Sequence, residues 1–162
     1  MIAEEISNIK IFMDHLLTKT TFDNCLVNEV IISTFNNFVI DGHINSNYYK
    51  DKTNTQPNDY LTEPYSSWKT IKPICYELIK GNRLPLKMSF ILAMKRSFIK
   101  HLIEGNNIDI QPEDVNDLFM NIKFEKDKLT VITGVSLKVF TMDKSLEKAF
   151  DNYIQNLITT LT

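Results

Sequence analysis

Asn24–Asn45, NCLVNEVIISTFNNFVIDGHIN, is the densest run of β-forming residues in the chain. Two stretches rich in Val, Ile, Phe and Thr flank Asn36-Asn37, and Asn tolerates the positive φ of a tight hairpin turn, so the stretch predicts a β-hairpin. A two-residue turn would set Phe35 against Phe38, Ser33 against Ile40, Ile32 against Asp41 and Val30 against His43. Apolar residues then fall on both faces, which predicts central strands covered on each side. Asp41 and His43, two apart on one strand, share a face whatever the register.

Working outward, Ser7 reads as the N-cap of a helix over about 8–18, with Ile9, Phe12, Met13, Leu16 and Leu17 at helical spacing and Ile6 and Ile11 bracketing the cap. Residues 1–6 suit a short strand. Residues 46–64 are polar, contain two prolines and show no period, so they predict a long loop, the least ordered part of the chain. Trp68, Ile71, Cys75, Leu78 and Ile79 mark a helix over about 66–80 stopped by Gly81. Pro73 inside it requires a later start, capped by Thr70, or a kink.

Alternation of Met88, Phe90, Leu92 and Met94 predicts a strand, and Ser97 caps a short helix ended by Gly105. Pro112 opens one helical turn in the connector 106–116. A second hairpin follows: Leu118, Met120, Ile122 and Phe124 alternate, Lys126-Asp127-Lys128 turns, and LTVITGVSLKVFTM returns with Gly134 at a bulge or bend. Asp143 caps a last helix carrying Leu146, Ala149, Phe150, Tyr153, Ile154, Leu157, Ile158 and Leu161. These elements define an α+β fold, a mainly antiparallel sheet of two hairpins plus a further strand packed against about four helices. The chain length fits one domain over 1–162.

The stretch LFMNIKFEKDKLTVITGVSLKVFTMDKSLEKAFD, together with IISTFNNFVIDG, resembles a family of short uncharacterised proteins of Firmicutes bacteria. That resemblance implies a bacterial cytosolic protein and transfers no functional residue.

Hydrophobic residues make up 43% and charged residues 23% of the chain, ordinary values that exclude fibrous and low-complexity classes. The net charge of −2 hides an asymmetry: residues 66–101 carry +7 between flanks of −5 and −4. Cys25 and Cys75 lack any CxxC or Cys/His ligand spacing, so neither a zinc site nor another metal or cofactor is expected. The N-terminus is unlike a signal peptide and no apolar run approaches the roughly 20 residues of a membrane span. A cytoplasmic protein with reduced thiols and no membrane contact is the expectation.

Three constellations compete for function. Asp41 with His43, joined by Cys25 or Asn45, could orient an imidazole for base catalysis or offer two metal ligands, yet it lacks a nucleophile, oxyanion donors and a third ligand. Ordinary polar residues at a strand end, with Asp41-Gly42 shaping a bend, are the commoner explanation. Lys69, Lys72, Tyr76, Lys80 and Arg83 share one helix face, extended by Lys87, Lys95, Arg96 and Lys100, as a nucleic-acid surface would. A solvated amphipathic face balanced by acidic flanks is the commoner meaning, and no recognition motif accompanies it. The stripe of the last helix is wide enough for Tyr153 and Leu161 to reach a subunit contact, so a homodimer or a protein partner is compatible with it. His15 and His101 read as boundary and solvated residues, and no Gly-rich phosphate loop, GxSxG, HExxH or EF-hand occurs. The composition thus favours a small non-catalytic binding or accessory module acting through protein contacts, with nucleic-acid binding and an enzyme at Asp41/His43 as alternatives.

Overall fold

The computed structural model describes residues 1–49 and 63–161. Most of the polar loop expected at 46–64 therefore lies outside the described residues; Ser46–Tyr49 is a 3-10 turn. In chain order the elements are β1 (Ala3–Glu5), α1 (Ile9–Leu17), β2 (Leu26–Ser33), β3 (Asn37–Asp41), α2 (Trp68–Ile79), β4 (Lys87–Ala93), α3 (Arg96–Gly105), β5 (Val115–Glu125), β6 (Lys128–Leu137) and α4 (Ser145–Leu161). The fold is α+β. The strands form one antiparallel sheet of six, in the order β1-β6-β5-β4-β2-β3. The short strand expected within residues 1–6 joins the sheet as β1, docked on β6 with Ala3 opposite Ile132, which corrects the description of the sheet as two hairpins plus a single further strand.

Alternation decides which face is covered. Val30 and Ile32 of β2, Met88, Phe90 and Leu92 of β4, Leu118, Met120, Ile122 and Phe124 of β5, and Leu129 and Val131 of β6 point one way. They join one core with Phe12 and Leu16 of α1, Trp68 and Cys75 of α2, Ile99 and Ile103 of α3, and Phe150 and Ile154 of α4. The helices thus lie on a single face, and burial of this apolar set supplies most of the drive to fold, at about 25 cal/mol per Å². On the other face a small cluster of Leu26, Tyr65, Ala93 and Phe119 covers one end of the sheet. The expectation of cover on both faces is corrected: β2 is second from the edge and β3 is the edge itself.

The hairpin register also differs from a two-residue Asn36-Asn37 turn. Ser33 pairs with Asn37, Ile31 with Val39 and Glu29 with Asp41. The loop is Thr34-Phe35-Asn36, closed by the Thr34 N–H donating to the Asn36 carbonyl at 2.9 Å. An odd shift of register exchanges the faces, so Asp41 stands on the side away from the helices rather than opposite Ile32. The second hairpin is the tight one: Lys126 and Asp127 take φ of 53° and 61°, and Glu125 pairs with Lys128 across them. Gly134 is not at a bulge. It pairs in register with Phe119, while the sheet's irregularities fall at Val27/Glu29 and Val115/Asp117.

Three helix starts differ in detail. Asn8 rather than Ser7 caps α1, its Oδ1 accepting the Ile11 N–H at 3.1 Å; Ile11 is exposed while Ile6 packs in the core with Phe12. Ser67 rather than Thr70 caps α2, which continues through Pro73; both Pro73 and Lys69, whose carbonyl Pro73 leaves unpaired, are on the exposed side where water replaces the bond. Ser97 does not cap α3. The helix begins at Arg96, whose N–H donates to Oε1 of Glu63 at 3.2 Å. A carboxylate at this end also complements the helix dipole. Asp143 does serve α4, accepting the Ser145 N–H at 2.8 Å.

Candidate functional site

After β3 the chain bends at Gly42, and residues 64–67 thread between this bend and the start of β2. The Gly42 N–H donates to Asn28 O at 2.9 Å, Ser66 N–H to Gly42 O at 2.9 Å, and Val27 N–H to Ser66 O at 2.8 Å. This splay carries Tyr65 beside His43, their rings 4.8 Å apart and nearly edge-to-face. The anticipated acid–imidazole pair forms: Asp41 Oδ1 lies 2.6 Å from His43 Nδ1 and accepts the His43 backbone N–H at 3.0 Å. Those two bonds, the backbone one first, hold the Asp41 carboxyl below its ordinary value. Both side chains are exposed.

The structure does not bring Cys25 or Asn45 into this pair. Cys25 lines a cleft of about 490 Å³ with Thr21, Asn24, Lys95, His101 and Tyr153. Burial pushes its thiol up to about 12, as it does for Cys75, so neither forms the thiolate that a nucleophile or metal ligand needs at neutral pH. Among the described residues no three His, Cys, Asp or Glu side chains gather to hold a metal ion.

What does join the pair was invisible in the sequence. The Tyr65 hydroxyl donates to Asp117 Oδ2 at 3.3 Å, and desolvation raises both groups above their ordinary values. Nearby, Arg96 is spent on the backbone, its guanidinium donating to the carbonyls of Pro112 at 2.5 Å, Asn116 at 2.8 Å and Val115 at 2.9 Å. The cluster Asp41–His43–Tyr65–Asp117 is therefore a junction holding β3, residues 63–67 and β5 together. A carboxyl whose folded pKa is raised stabilises the fold fully below its unfolded value near 3.8, and that contribution is lost as pH rises through the folded value. Asp117→Asn, which cannot ionise, should thus melt higher than the parent at neutral pH and lose its advantage in acid. Thermal melts from pH 3 to 7 that differ by a constant amount would refute this.

The basic face is broken up. Lys72 bonds Asp23 at 2.6 Å and the Lys19 carbonyl at 2.8 Å, with only 14% and 13% of the Lys72 and Asp23 side chains exposed. Lys80 pairs with Glu77 at 2.7 Å, and Tyr76 lines a shallow groove with Leu17, Thr18 and Pro73. Lys69 and Arg83 are exposed. Lys87 alternates with the core residue Met88 and so stands on the sheet face opposite α2, and Arg96 is committed as described. On α4, Leu161 is buried, while Tyr153 packs edge-on against Phe98 at 4.7 Å and remains 40% exposed.

A different surface stands out at the turn end of the first hairpin. Phe35 is 84% exposed, Leu84 78%, Leu86 74% and Val39 65%. Phe35 sits edge-on to Phe38 at 5.5 Å, and the Leu86 N–H donates to Ser33 O at 2.8 Å, which ties the Leu84–Leu86 approach to β4 against the same turn. Sequence patterning counted Phe35 and Val39 with the β-formers of the first hairpin; the turn leaves Phe35 in solvent and the edge position of β3 does the same for Val39.

A six-stranded antiparallel sheet with helices packed on one face places the chain in the α+β class. The chain belongs to the family of unknown function DUF5721, whose model matches residues 15–161. No curated protein and no solved structure shows a significant match to it. No helix among the described residues is long and apolar enough to cross a membrane.

Proposed function

We propose that this protein is a small, non-catalytic binding or accessory module of a bacterial cytosol that acts through protein contacts. The observation that carries this reading is the exposure of four large apolar side chains, Phe35, Val39, Leu84 and Leu86, on the turn and edge of the first hairpin and the approach to β4. Exposed apolar surface that gathers into a patch marks an interaction site. Nucleic-acid binding through Lys69, Lys72, Tyr76, Lys80 and Arg83 is the weaker reading, since Lys72 and Lys80 already hold carboxylates. Catalysis at Asp41 and His43 is weaker again, since both side chains are largely exposed to solvent.

A photo-cross-linking side chain placed at Phe35 should trap a protein in cells, whereas the same group at Lys100, exposed on α3, should not. If position 35 yields no protein adduct, the contact reading fails.

A further inference from the structure

The two ends of the sheet are treated differently. β1, at one edge, has three residues, two of them Glu4 and Glu5. A short, charged edge discourages further strands from adding. β3, at the other edge, is Asn37-Phe38-Val39-Ile40-Asp41, with no Lys, no Pro and no bulge. Among the described residues nothing pairs with its outer side.

The register fixes which backbone groups that outer side presents. In an antiparallel ladder, hydrogen-bonded and non-hydrogen-bonded pairs alternate. The bonds from Gly42 N–H to Asn28 O and from Thr34 N–H to Asn36 O flank the ladder, so Val30–Ile40 and Ile32–Phe38 are the hydrogen-bonded pairs between them. Asn37, Val39 and Asp41 consequently turn their N–H and C=O groups away from β2.

We propose that β3 pairs antiparallel with β3 of a second copy of this chain, about a two-fold axis through Val39, joining the two sheets into one. This deepens the protein-contact reading and rests on it. The occupant follows from self-complementarity. A two-fold at Val39 sets Val39 against Val39 of the second copy and Asn37 against Asp41, all three being the outward-facing residues, so six backbone hydrogen bonds close without a slip. On the face away from the helices each carboxylate of Asp41 meets an amide donor of Asn37 rather than a like charge. On the helix face Phe38 falls opposite Ile40; both are half-buried, and Ile40 already packs against the protein's own core. The same axis brings Phe35 to the end of the neighbouring strand, which accounts for its exposure in a single copy. A two-fold contact is isologous, so this one patch uses up both β3 edges and leaves only the short, acidic β1 strands at the ends of the joined sheet.

The test uses the whole chain. Sedimentation across about 1–100 μM, the range in which micromolar association becomes visible, should show a monomer–dimer equilibrium. Val39→Pro deletes only an outward N–H, which an edge strand tolerates, and Val39→Lys adds the charge that guards natural edges. Each should shift the equilibrium toward monomer at least about tenfold while leaving the far-UV circular dichroism unchanged. Should the proline variant misfold, the lysine variant decides. Amide exchange at Asn37, Val39 and Asp41 should slow with rising concentration in the parent alone. A parent that stays monomeric to about 100 μM, or a dimer indifferent to Val39→Lys, overturns the proposal. In those cases a Phe35 adduct with a different protein keeps the contact reading, whereas absence of any adduct removes both.

Discussion

Gly42→Ala is expected to prevent stable folding, or to destabilise the protein by about 4 kcal/mol or more, the range reserved for a clash that the structure cannot relax. A Cβ built on Gly42 would lie 1.6 Å from the carbonyl oxygen of Val27 and 2.5 Å from its carbonyl carbon. Both are backbone atoms of β2, held from the other side by the bond between Val27 N–H and Ser66 O. Neither chain can retreat without breaking the splay that seats Tyr65 beside His43. The requirement for glycine here is one of space and not of a left-handed φ, which Gly42 does not adopt. Urea unfolding followed by circular dichroism checks it. A variant that unfolds within about 1 kcal/mol of the parent, the typical effect of an ordinary substitution, would show that the crossing is looser than described.

The second large effect is expected at Trp68, the only tryptophan. Its side chain is fully buried, sits edge-on to Phe90 at 5.6 Å, and donates its indole N–H to the Leu16 carbonyl at 2.8 Å. That carbonyl belongs to the last turn of α1, where helix geometry provides no partner. Trp68→Ala removes both the packing and the bond and should destabilise by about 3–5 kcal/mol. For a chain of this size that lowers Tm by roughly 6–20 °C. Trp68→Phe keeps most of the ring burial but orphans the Leu16 carbonyl, at about 1–3 kcal/mol. The ordering Ala below Phe below parent is the test, read by circular dichroism since the fluorophore is lost. A Phe variant as stable as the parent would mean that water reaches the helix end.

Much of the secondary structure was legible because periodicity is a local property. The stripe of Trp68, Ile71, Cys75, Leu78 and Ile79 and the alternation Met88–Met94 and Leu118–Phe124 identify elements that the structure contains. Caps were legible only when the capping side chain is adjacent in sequence. Asp143 was found, whereas Glu63, which reaches the start of α3 from another part of the chain, has no local signature. Turn chemistry misled at the first hairpin: Asn36-Asn37 is the better pair for positive φ, yet Lys126 and Asp127 adopt it instead. In the second hairpin ten residue pairs impose the turn on whatever residues occupy it, while the short β3 accepts a three-residue loop.

The candidate site divides in the same way. Asp41 and His43 were found because they are two apart in sequence; they meet at 2.6 Å across the bend at Gly42 and not along one strand, since β3 ends at Asp41. Tyr65 and Asp117 join them through pairings 22 and 52 residues apart, from His43 to Tyr65 and from Tyr65 to Asp117, which no window reveals. The basic face held together on a helical wheel and came apart in three dimensions, because Asp23 claims Lys72 and the sheet separates Lys87 from α2.

Local patterning thus sufficed for the α+β class, the helical stripes and the alternating strands, since each follows from which side chains share a side of one element. Tertiary pairing alone decided that the helices cover one face, that β3 is the edge of the sheet among the described residues, with Phe35 and Val39 in solvent, and that Gly42 touches Val27. Those outcomes depend on which distant strands become neighbours, and the free energy that selects among pairings is a sum over the whole core rather than a property of any one stretch.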